Sequence, residues 1–294
     1  MNLFDSICRT RSLRRIVAGL VTLTGLSIPA SADSGDIQDF DAVPHIDAKA
    51  RAEYRTFLSM PRHRAFAIAP GGAWGWTESE ASRQRAEAAA VAGCETYTDQ
   101  RCVVYAVNDE IVFDRTGWAR LWGPYLDRDN AERAVTGVKR GQRFPDLAFE
   151  QGDDRTGSIS AFHGKVVLLH FWGTWCTYCV PELTELQALY DELEGSDIEF
   201  VLLQVREPYA VTRKWLDAEG FSLPQYDSGV SETGHDGLRL ADGRPIRDRE
   251  LALVFPTTYV LDRHGIVVFR RIGPALRWRE YIPLLRDVAA RSGE

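Results

Sequence analysis

The chain has 294 residues, of which 45% are hydrophobic and 26% charged, and its formal net charge is −7. This composition is typical of a folded globular protein, and the length accommodates two modest domains. Nucleic acid is excluded as an expected partner, because phosphate-binding surfaces need clustered Lys and Arg, and the basic cluster of this chain lies at its extreme N-terminus.

The first 32 residues are typical of a secretory signal peptide. Four arginines within residues 9–15 precede an apolar run, Ile16–Ile28, and Ala30–Ala32 then forms a small-residue cleavage motif. The run is shorter than the about 20 residues that span a bilayer, so we expect cleavage near Ala32. An uncleaved anchor is the alternative, and Arg14-Arg15 raises a twin-arginine route, although Sec export fits the segment better.

Cleavage would change both the charge and the cysteine content. Removing this segment takes away four Arg and one Asp, a net +3, so the formal net charge goes from −7 to −10. It also removes Cys8 and leaves an even set in a compartment where disulfides persist: Cys94, Cys102, Cys176 and Cys179. We expect a soluble product, periplasmic or otherwise exported, without stable membrane insertion.

Residues 33–138 are predicted to form a small α+β N-terminal domain. Its predicted elements are helices at Ala50–Leu58 and Ser79–Ala92 and strands at Ala65–Ala69, Cys102–Val107 and Glu110–Phe113. Cys94 follows the second helix and Cys102 opens a strand, so we expect a structural disulfide between them, with a second redox centre as the alternative. The role of this domain stays open. A linker is predicted over Gly123–Gly141.

Residues 139–294 show a different rhythm, in which strands alternate with helices. The predicted strands are Val166–Trp172, Ile198–Val205, Thr257–Leu261 and Ile266–Ile272, and the predicted helices are Cys176–Leu193, Tyr209–Glu219 and Trp278–Arg291. This order predicts an α/β fold with a central mixed sheet flanked by helices. Residues 227–249 are polar and rich in glycine, which indicates a surface insertion.

Cys176 and Cys179 form a Cys-x-x-Cys pair at the predicted junction of a strand and a helix. The attacking species in disulfide exchange is a thiolate, which the free N–H groups and the positive end of a helix dipole stabilise. We therefore assign Cys176 as the nucleophile. Cys179 lies three residues later, close enough to attack a mixed disulfide, and is assigned as the resolving thiol.

Two alternatives assign the cysteine pair no redox activity. A zinc site would need a second ligand pair, and Cys94 and Cys102 have seven residues between them instead of the usual two. A purely structural bridge between Cys176 and Cys179 would close so small a loop that it would remove little chain entropy. Redox activity is the favoured interpretation, and no metal or cofactor is expected.

Three stretches of sequence resemble the TlpA/ResA-like thioredoxin family of exported thiol–disulfide oxidoreductases. They are Gly164-Lys165-Val166-Val167-Leu168-Leu169-His170-Phe171-Trp172-Gly173-Thr174-Trp175-Cys176, Phe255-Pro256-Thr257-Thr258-Tyr259-Val260-Leu261-Asp262 and Phe144-Pro145-Asp146-Leu147. The resemblance covers residues 139–294 and implies a thioredoxin-like fold. It also implies that Pro256 is a cis-proline facing the dithiol, although the sequence alone would favour a trans bond.

The resemblance also points to supporting residues around the dithiol. Glu182 matches an acidic position of the family, which implies proton transfer or pKa tuning, while an exposed glutamate in the first helical turn is an equal alternative. His170 stands on the strand before the dithiol, where it either assists Cys179 or is a buried core histidine. Trp175 is expected to be a partly exposed partner surface, with simple packing as its alternative.

The chain departs from the family at two positions. Tyr178 stands where a proline often precedes the second cysteine, and Thr184 replaces a proline that commonly kinks the helix. Because the residues between the cysteines tune the thiolate pKa and the reduction potential, the direction of electron flow is left open.

These observations favour an exported enzyme that exchanges its dithiol or disulfide with protein substrates. The family implies a reductant that a membrane electron donor keeps reduced. One alternative is Cu(I) handling, since paired thiolates bind Cu(I), but copper-delivering relatives use a longer cysteine spacing and a specific histidine. The other is a partner-binding module carried on a thioredoxin-like scaffold.

Overall fold

The computed structural model describes residues 35–151 and 155–291, which pack as one compact unit. The predicted signal segment and its cleavage site near Ala32 lie outside the described residues. Within the described ranges, no helix combines the length and apolar character needed to cross a bilayer.

The N-terminal half is a sheet covered by helices. Its strands are β1 (Ala65–Ile68), β2 (Trp74–Thr77), β3 (Val103–Val107) and β4 (Glu110–Ile111), and its helices are α1 (Ala48–Ser59), α2 (Arg83–Glu95), α3 (Arg115–Trp118) and α4 (Arg128–Arg133). The strand order is β2-β1-β3-β4, and adjacent strands are antiparallel. The α+β architecture predicted for this half is therefore present.

Helix α2 starts later than the sequence indicates. Ser79 has a positive φ of 56°, a backbone conformation that turns the chain away from a helix. The side chain of Ser82 instead accepts a hydrogen bond from the Arg85 amide at 3.2 Å and caps the first turn. Cys94 near the end of α2 forms a disulfide with Cys102, just before β3, with 6.2 Å between the Cα atoms, so the expected pairing is confirmed.

The C-terminal half contains the remaining elements. Its strands are β5 (Ala148–Gln151), β6 (Arg155–Ser158), β7 (Val166–Trp172), β8 (Ile198–Gln204), β9 (Gln225–Tyr226), β10 (Gly237–Arg239), β11 (Pro245–Arg247), β12 (Thr257–Leu261) and β13 (Val267–Ile272). Its helices are α5 (Val180–Glu192), α6 (Tyr209–Glu219), α7 (Asp248–Leu251) and α8 (Ile282–Arg291).

The main sheet of this half has the order β13-β12-β7-β8-β9. Strands β7, β8 and β9 run parallel, whereas β12 is antiparallel to both β7 and β13. Every residue of the central strand β7 is buried, as is typical of a strand that is covered on both faces of a sheet. The mixed sheet flanked by helices, as expected for a thioredoxin-like fold, is confirmed.

The end of β7 is the point where three strands meet. Trp172 at this end pairs with Gln204 of the parallel strand β8, and Phe171 pairs with Thr257, the first residue of β12. The segments that follow β7 and β8 and precede β12 therefore lie at one edge of the sheet. The dithiol belongs to the first of these segments.

Two segments whose sequence gave no strong indication of a helix or strand make specific contacts in the C-terminal half. The polar insertion at residues 227–249 contains the β10–β11 hairpin, and Leu240 forms a β-bridge with Leu147. Trp122 directly precedes the predicted linker and packs against Phe269 of β13, with 4.2 Å between ring centroids. The N-terminal half is thus attached to the main sheet through a buried aromatic contact.

Helix α2 packs closely against the N-terminal sheet where Gly75 of β2 faces Gly93 of α2. A Cβ on Gly75 of β2 would lie 2.4 Å from the Cys94 amide nitrogen and 2.7 Å from the Ala90 carbonyl oxygen, whereas a Cβ on Gly93 would meet only the Gly75 Cα at 4.0 Å. We expect Gly75→Ala to lower the free energy of unfolding by about 2 kcal/mol, because backbone atoms must move apart. The measurement is urea denaturation.

Gly93→Ala is the matched control for this change. It adds the same methyl group on the facing side of the contact, within a helix where alanine is favoured over glycine by about 1 kcal/mol. A loss of stability in Gly93→Ala as large as in Gly75→Ala would contradict the close approach described above.

Candidate active site

Cys176 and Cys179 form a disulfide in the turn between β7 and α5, with 5.2 Å between their Cα atoms. The predicted helix start at Cys176 is wrong, since α5 begins at Val180. The Cys179 amide turns back to the Cys176 carbonyl oxygen at 2.9 Å, which closes a tight turn before the helix proper. The dithiol therefore lies immediately ahead of the helix instead of within its first turn.

The two sulfurs differ in their surroundings. Cys176 keeps 5% of its surface exposed, whereas Cys179 is fully buried. The Cys179 amide also lies 3.2 Å from the Cys176 sulfur, where it can donate a hydrogen bond. A backbone donor at this distance stabilises a thiolate on Cys176 once the disulfide is reduced. The geometry thus gives Cys176 both access and anion stabilisation.

Glu207 fixes the loop that leads into the dithiol, and sequence reasoning missed it. Its carboxylate accepts a hydrogen bond from the Thr174 hydroxyl at 2.6 Å and another from the Thr174 amide. Glu207 is buried, and it follows β8 at the sheet edge where β7 also ends. An acidic residue just after the strand parallel to β7 was the available signal, because the carboxyl ends of adjacent parallel strands share one edge.

Trp175 is 45% exposed beside the dithiol. Its indole donates a hydrogen bond to the Val205 carbonyl oxygen at 2.9 Å, and its ring meets Phe255 edge-to-face at 5.8 Å. A Cβ on Gly173 would lie 2.4 Å from the indole nitrogen, so the loop needs glycine there for the ring to fold back. Trp175 is held in a defined orientation while one part of its ring faces solvent.

Pro256 follows Phe255 through a cis peptide bond and immediately precedes β12, as the family resemblance implied. On the outer side of this aromatic pair, the Arg206 guanidinium lies 5.9 Å from the Trp175 ring centroid and 5.6 Å from that of Phe255. Asp248 of α7 holds Arg206 with two hydrogen bonds of 2.6 and 3.1 Å. Asp248, which lies in the predicted insertion at residues 227–249, therefore holds Arg206 next to Trp175 and Phe255.

Glu182 is fully buried behind the dithiol, which excludes the exposed alternative. Its Oε1 accepts hydrogen bonds from the Ala275 amide at 2.9 Å and from the Trp278 indole at 2.7 Å, while its Oε2 has no hydrogen-bond partner among the described residues. Burial raises the pKa of Glu182 to about 7, although both hydrogen bonds and the charge of Arg271 act in the opposite direction.

His170 is a buried residue in the middle of the main sheet. Its Nδ1 lies 2.9 Å from the hydroxyl of Thr258 on β12, and its Nε2 has no hydrogen-bond partner in the described part of the chain. Burial lowers the pKa of His170 to about 3, so the ring is neutral at physiological pH. A role for His170 in assisting Cys179 stays a prediction.

Exposed apolar side chains lie in the dithiol turn and in segments next to it. Tyr178 between the cysteines is 69% exposed, Leu253 and Val254 precede the Phe255 that contacts Trp175, and Leu276 follows the Ala275 that binds Glu182. Together with Trp175 and Ile272, these residues form what we term the apolar rim: Trp175, Tyr178, Leu253, Val254, Ile272 and Leu276. Within residues 35–151 and 155–291, no cluster of His, Cys, Asp and Glu is arranged to hold a metal ion.

Comparison with known proteins places this site in a recognised group. Residues 140–270 match the model of the AhpC/TSA family. The thiol-disulfide oxidoreductase ResA of Halalkalibacterium halodurans is 26% identical over 139 residues, which cover 47% of this chain and 70% of ResA. The thioredoxin-like protein YneN of Bacillus subtilis is 27% identical over 162 residues, covering 54% and 82% of the two chains. The crystal structure of StoA from Bacillus subtilis aligns with a TM-score of 0.34 at 19% identity and covers 48% of this chain and 95% of StoA.

The raised pKa of Glu182 predicts a specific pH dependence of stability. Because its pKa is about 7 in the folded protein and 4.5 as a model value, its contribution to stability is complete below pH 4.5 and is lost as the pH rises through 7. Relative to Glu182→Gln, the free energy of unfolding of the oxidised wild type should fall by about 3 kcal/mol between pH 4.5 and 7.5. Denaturant titrations at a series of pH values measure this difference.

Glu185→Gln, on the same helix, serves as the control. It makes the same chemical change at a partly exposed position, so its pH profile should follow that of the wild type. Parallel profiles for the wild type and Glu182→Gln would show that Glu182 does not titrate as its burial requires.

Proposed function

We propose that this protein is an exported thiol–disulfide oxidoreductase of the TlpA/ResA-like thioredoxin family that reduces disulfides in protein substrates. The match of residues 140–270 to the AhpC/TSA family and the similarity to ResA proteins support this proposal. The observation that carries the proposal is the asymmetric Cys176–Cys179 disulfide. Cys176 keeps 5% of its surface exposed and its sulfur accepts a backbone hydrogen bond, whereas Cys179 is fully buried.

The proposed reaction starts from the reduced dithiol. The Cys176 thiolate attacks one sulfur of the substrate disulfide, forms a mixed disulfide and releases the other substrate sulfur as a thiolate. Cys179 then loses its proton and attacks the Cys176 sulfur. The second substrate thiolate leaves, the substrate has gained two electrons, and the enzyme holds the Cys176–Cys179 disulfide.

Glu182 is suited to receive the proton of Cys179. Both residues are buried, Cys179 just before α5 and Glu182 in its first turn, and the Glu182 amide donates a hydrogen bond to the Cys179 carbonyl oxygen at 3.1 Å. A carboxyl group whose pKa is about 7 is partly ionised near neutral pH, which suits a group that must both accept and return a proton. The role of Glu182 in proton transfer is part of the proposal.

The apolar rim favours the proposal that the substrates are proteins and not small thiols. Soluble monomers seldom expose clustered large apolar side chains, and such clusters mark sites of protein interaction. Here two members of the rim, Trp175 and Tyr178, lie in the same turn as Cys176, whose sulfur must meet the substrate. A partner segment docked on the rim would bury apolar surface and bring its disulfide to Cys176.

The proposed compartment and direction follow from separate considerations. The N-terminal segment has the charge, apolar run and small-residue motif of an export signal, and the disulfides Cys94–Cys102 and Cys176–Cys179 fit an oxidising compartment. We propose a reductant because the family resemblance implies one. A reductant working there needs an electron supply, and we propose a membrane electron donor that reduces Cys176–Cys179 after each turnover.

The two cysteines should give different variant phenotypes. Cys176→Ala should abolish exchange with a model protein disulfide, because the accessible nucleophile is lost. Cys179→Ala should instead accumulate a mixed disulfide between Cys176 and the substrate, which mass spectrometry of the unreduced protein detects. Exchange by Cys176→Ala at the wild-type rate would refute the proposed enzyme.

The reduction potential of Cys176–Cys179 tests the proposed direction. Thioredoxin has a reduction potential of about −270 mV, and a strongly oxidising thiol–disulfide enzyme has one of about −120 mV. A reductant should have a potential near the first value and far below the second. Equilibration of the protein with defined thiol–disulfide buffers, followed by alkylation of free thiols, measures this value. A variant with Cys94→Ala and Cys102→Ala together is the control, since it leaves one disulfide to titrate.

A further inference from the structure

An open cleft of about 470 Å³ extends from the dithiol turn to the N-terminal half of the chain. Tyr178, between the two cysteines, lines its active-site end. One wall is the segment Arg271–Arg277, which comprises the end of β13 and the residues after it, and the other wall is the start of α1 with the residues before it. The N-terminal half, which lies outside the matched residues 140–270, therefore forms one wall of a cleft that reaches Tyr178 in the dithiol turn.

The wall from the C-terminal half is apolar at its surface. Ile272 is 52% exposed and Leu276 58% exposed, and both belong to the apolar rim. Both residues line the cleft together with Tyr178. A substrate segment that delivers its cysteine to Cys176 and extends in this direction would lie against these residues.

The acidic side chains of the cleft are engaged with the protein itself. The Asp47 carboxylate caps α1 by accepting a hydrogen bond from the Ala50 amide at 2.8 Å. Glu280 accepts a hydrogen bond from the His45 amide at 2.9 Å and forms an ion pair with Arg277. His45 adds no positive charge, because burial lowers its pKa to about 3.

Two cations of the cleft lack such partners. Among the described residues, exposed Lys49 in the first turn of α1 forms no ion pair. The Arg271 guanidinium donates hydrogen bonds to the carbonyl oxygens of Gly71 and Pro274, which are neutral acceptors, and no described carboxylate pairs with it. The lining carries four cations, Lys49, Arg51, Arg271 and Arg277, against two carboxylates, Asp47 and Glu280. The balance stays positive when the ion pair of Arg51 with Asp41 is counted, so in a chain with a formal net charge of −7 the cleft is a local site of net positive charge beside apolar surface.

We infer that this cleft binds the segment of a protein substrate that flanks its reactive cysteine, and that it selects segments with acidic side chains, chiefly through Lys49. The inference rests on the proposed function. It gives the N-terminal half a task, because this half supplies the wall that carries Lys49 and the carbonyl group of Gly71 that holds Arg271 in place.

The test compares two disulfide-cyclised peptides that differ only in whether three Glu or three Lys residues flank each cysteine. The reduced wild-type protein should react about tenfold faster with the acidic peptide at low ionic strength, and the preference should shrink as salt screens the charges. Lys49→Glu should lower the ratio of the two rates about fivefold, and Lys49→Met should have an intermediate effect. Tryptophan fluorescence in a stopped-flow instrument follows each reaction.

Two controls isolate the cleft from the dithiol. Lys214→Glu makes the same charge reversal at an exposed lysine of α6, which does not line the cleft, and should keep the wild-type ratio. Bis(2-hydroxyethyl) disulfide is small and neutral, so all variants should react with it at the wild-type rate. Lys49→Glu should also fold normally, because an acidic residue in the first turn of a helix is favourable.

The outcomes separate the inference from the function on which it rests. If Lys49→Glu keeps the peptide ratio of the wild type while reacting normally with the neutral disulfide, selection by the cleft is wrong and the oxidoreductase function stands. If the wild type reacts with no disulfide at all, the proposed function fails and the inference falls with it.

Discussion

The parallel pairing of β7 with β8 determines where the dithiol can work. Because these strands end together, Gly173–Cys176 after β7 comes within hydrogen-bond distance of Val205 and Glu207 after β8. Two buried acceptors, the Val205 carbonyl oxygen and the Glu207 carboxylate, then fix Trp175 and Thr174. The short turn that holds the disulfide is built on this fixed loop, so the orientation of the Cys176 sulfur depends on strand pairing more than on the helix that follows.

Burial gives the neighbouring ionisable groups their properties. Glu182 and His170 are both removed from water, and in each case the cost of burying a charge shifts the pKa toward the neutral form. The results differ because the ordinary pKa values differ. The pKa of Glu182 rises into the physiological range, where the group can exchange protons, whereas that of His170 falls below it. The same physical effect therefore brings the pKa of Glu182 near neutral pH and keeps His170 as a neutral part of the core.

The N-terminal half gains its significance from its position. It packs along the edge strand β13 through Trp122 and through the hydrogen bond from Arg271 to Gly71. Its own disulfide, Cys94–Cys102, joins the end of α2 to the strand that follows and lies away from the residues that line the cleft. This half thus extends the surface next to the dithiol turn, and its composition gave no indication of that placement.

The sequence by itself determined the mixed sheet and its helices and the two cysteine pairs, because these follow from local patterns of apolar residues and from short motifs. The same motif is the basis of the proposal that Cys176 and Cys179 carry the chemistry. The cis-proline also followed from the sequence, through family resemblance. Only the tertiary structure decided that Glu182 is buried and that Glu207 fixes the loop. It also placed Arg206 and Asp248 beside Trp175 and Phe255, and Lys49 in the same cleft as Tyr178. Each of these depends on contacts between residues distant in the chain, and burial, which sets the charge state of Glu182, is a property of the packed molecule and not of any local segment.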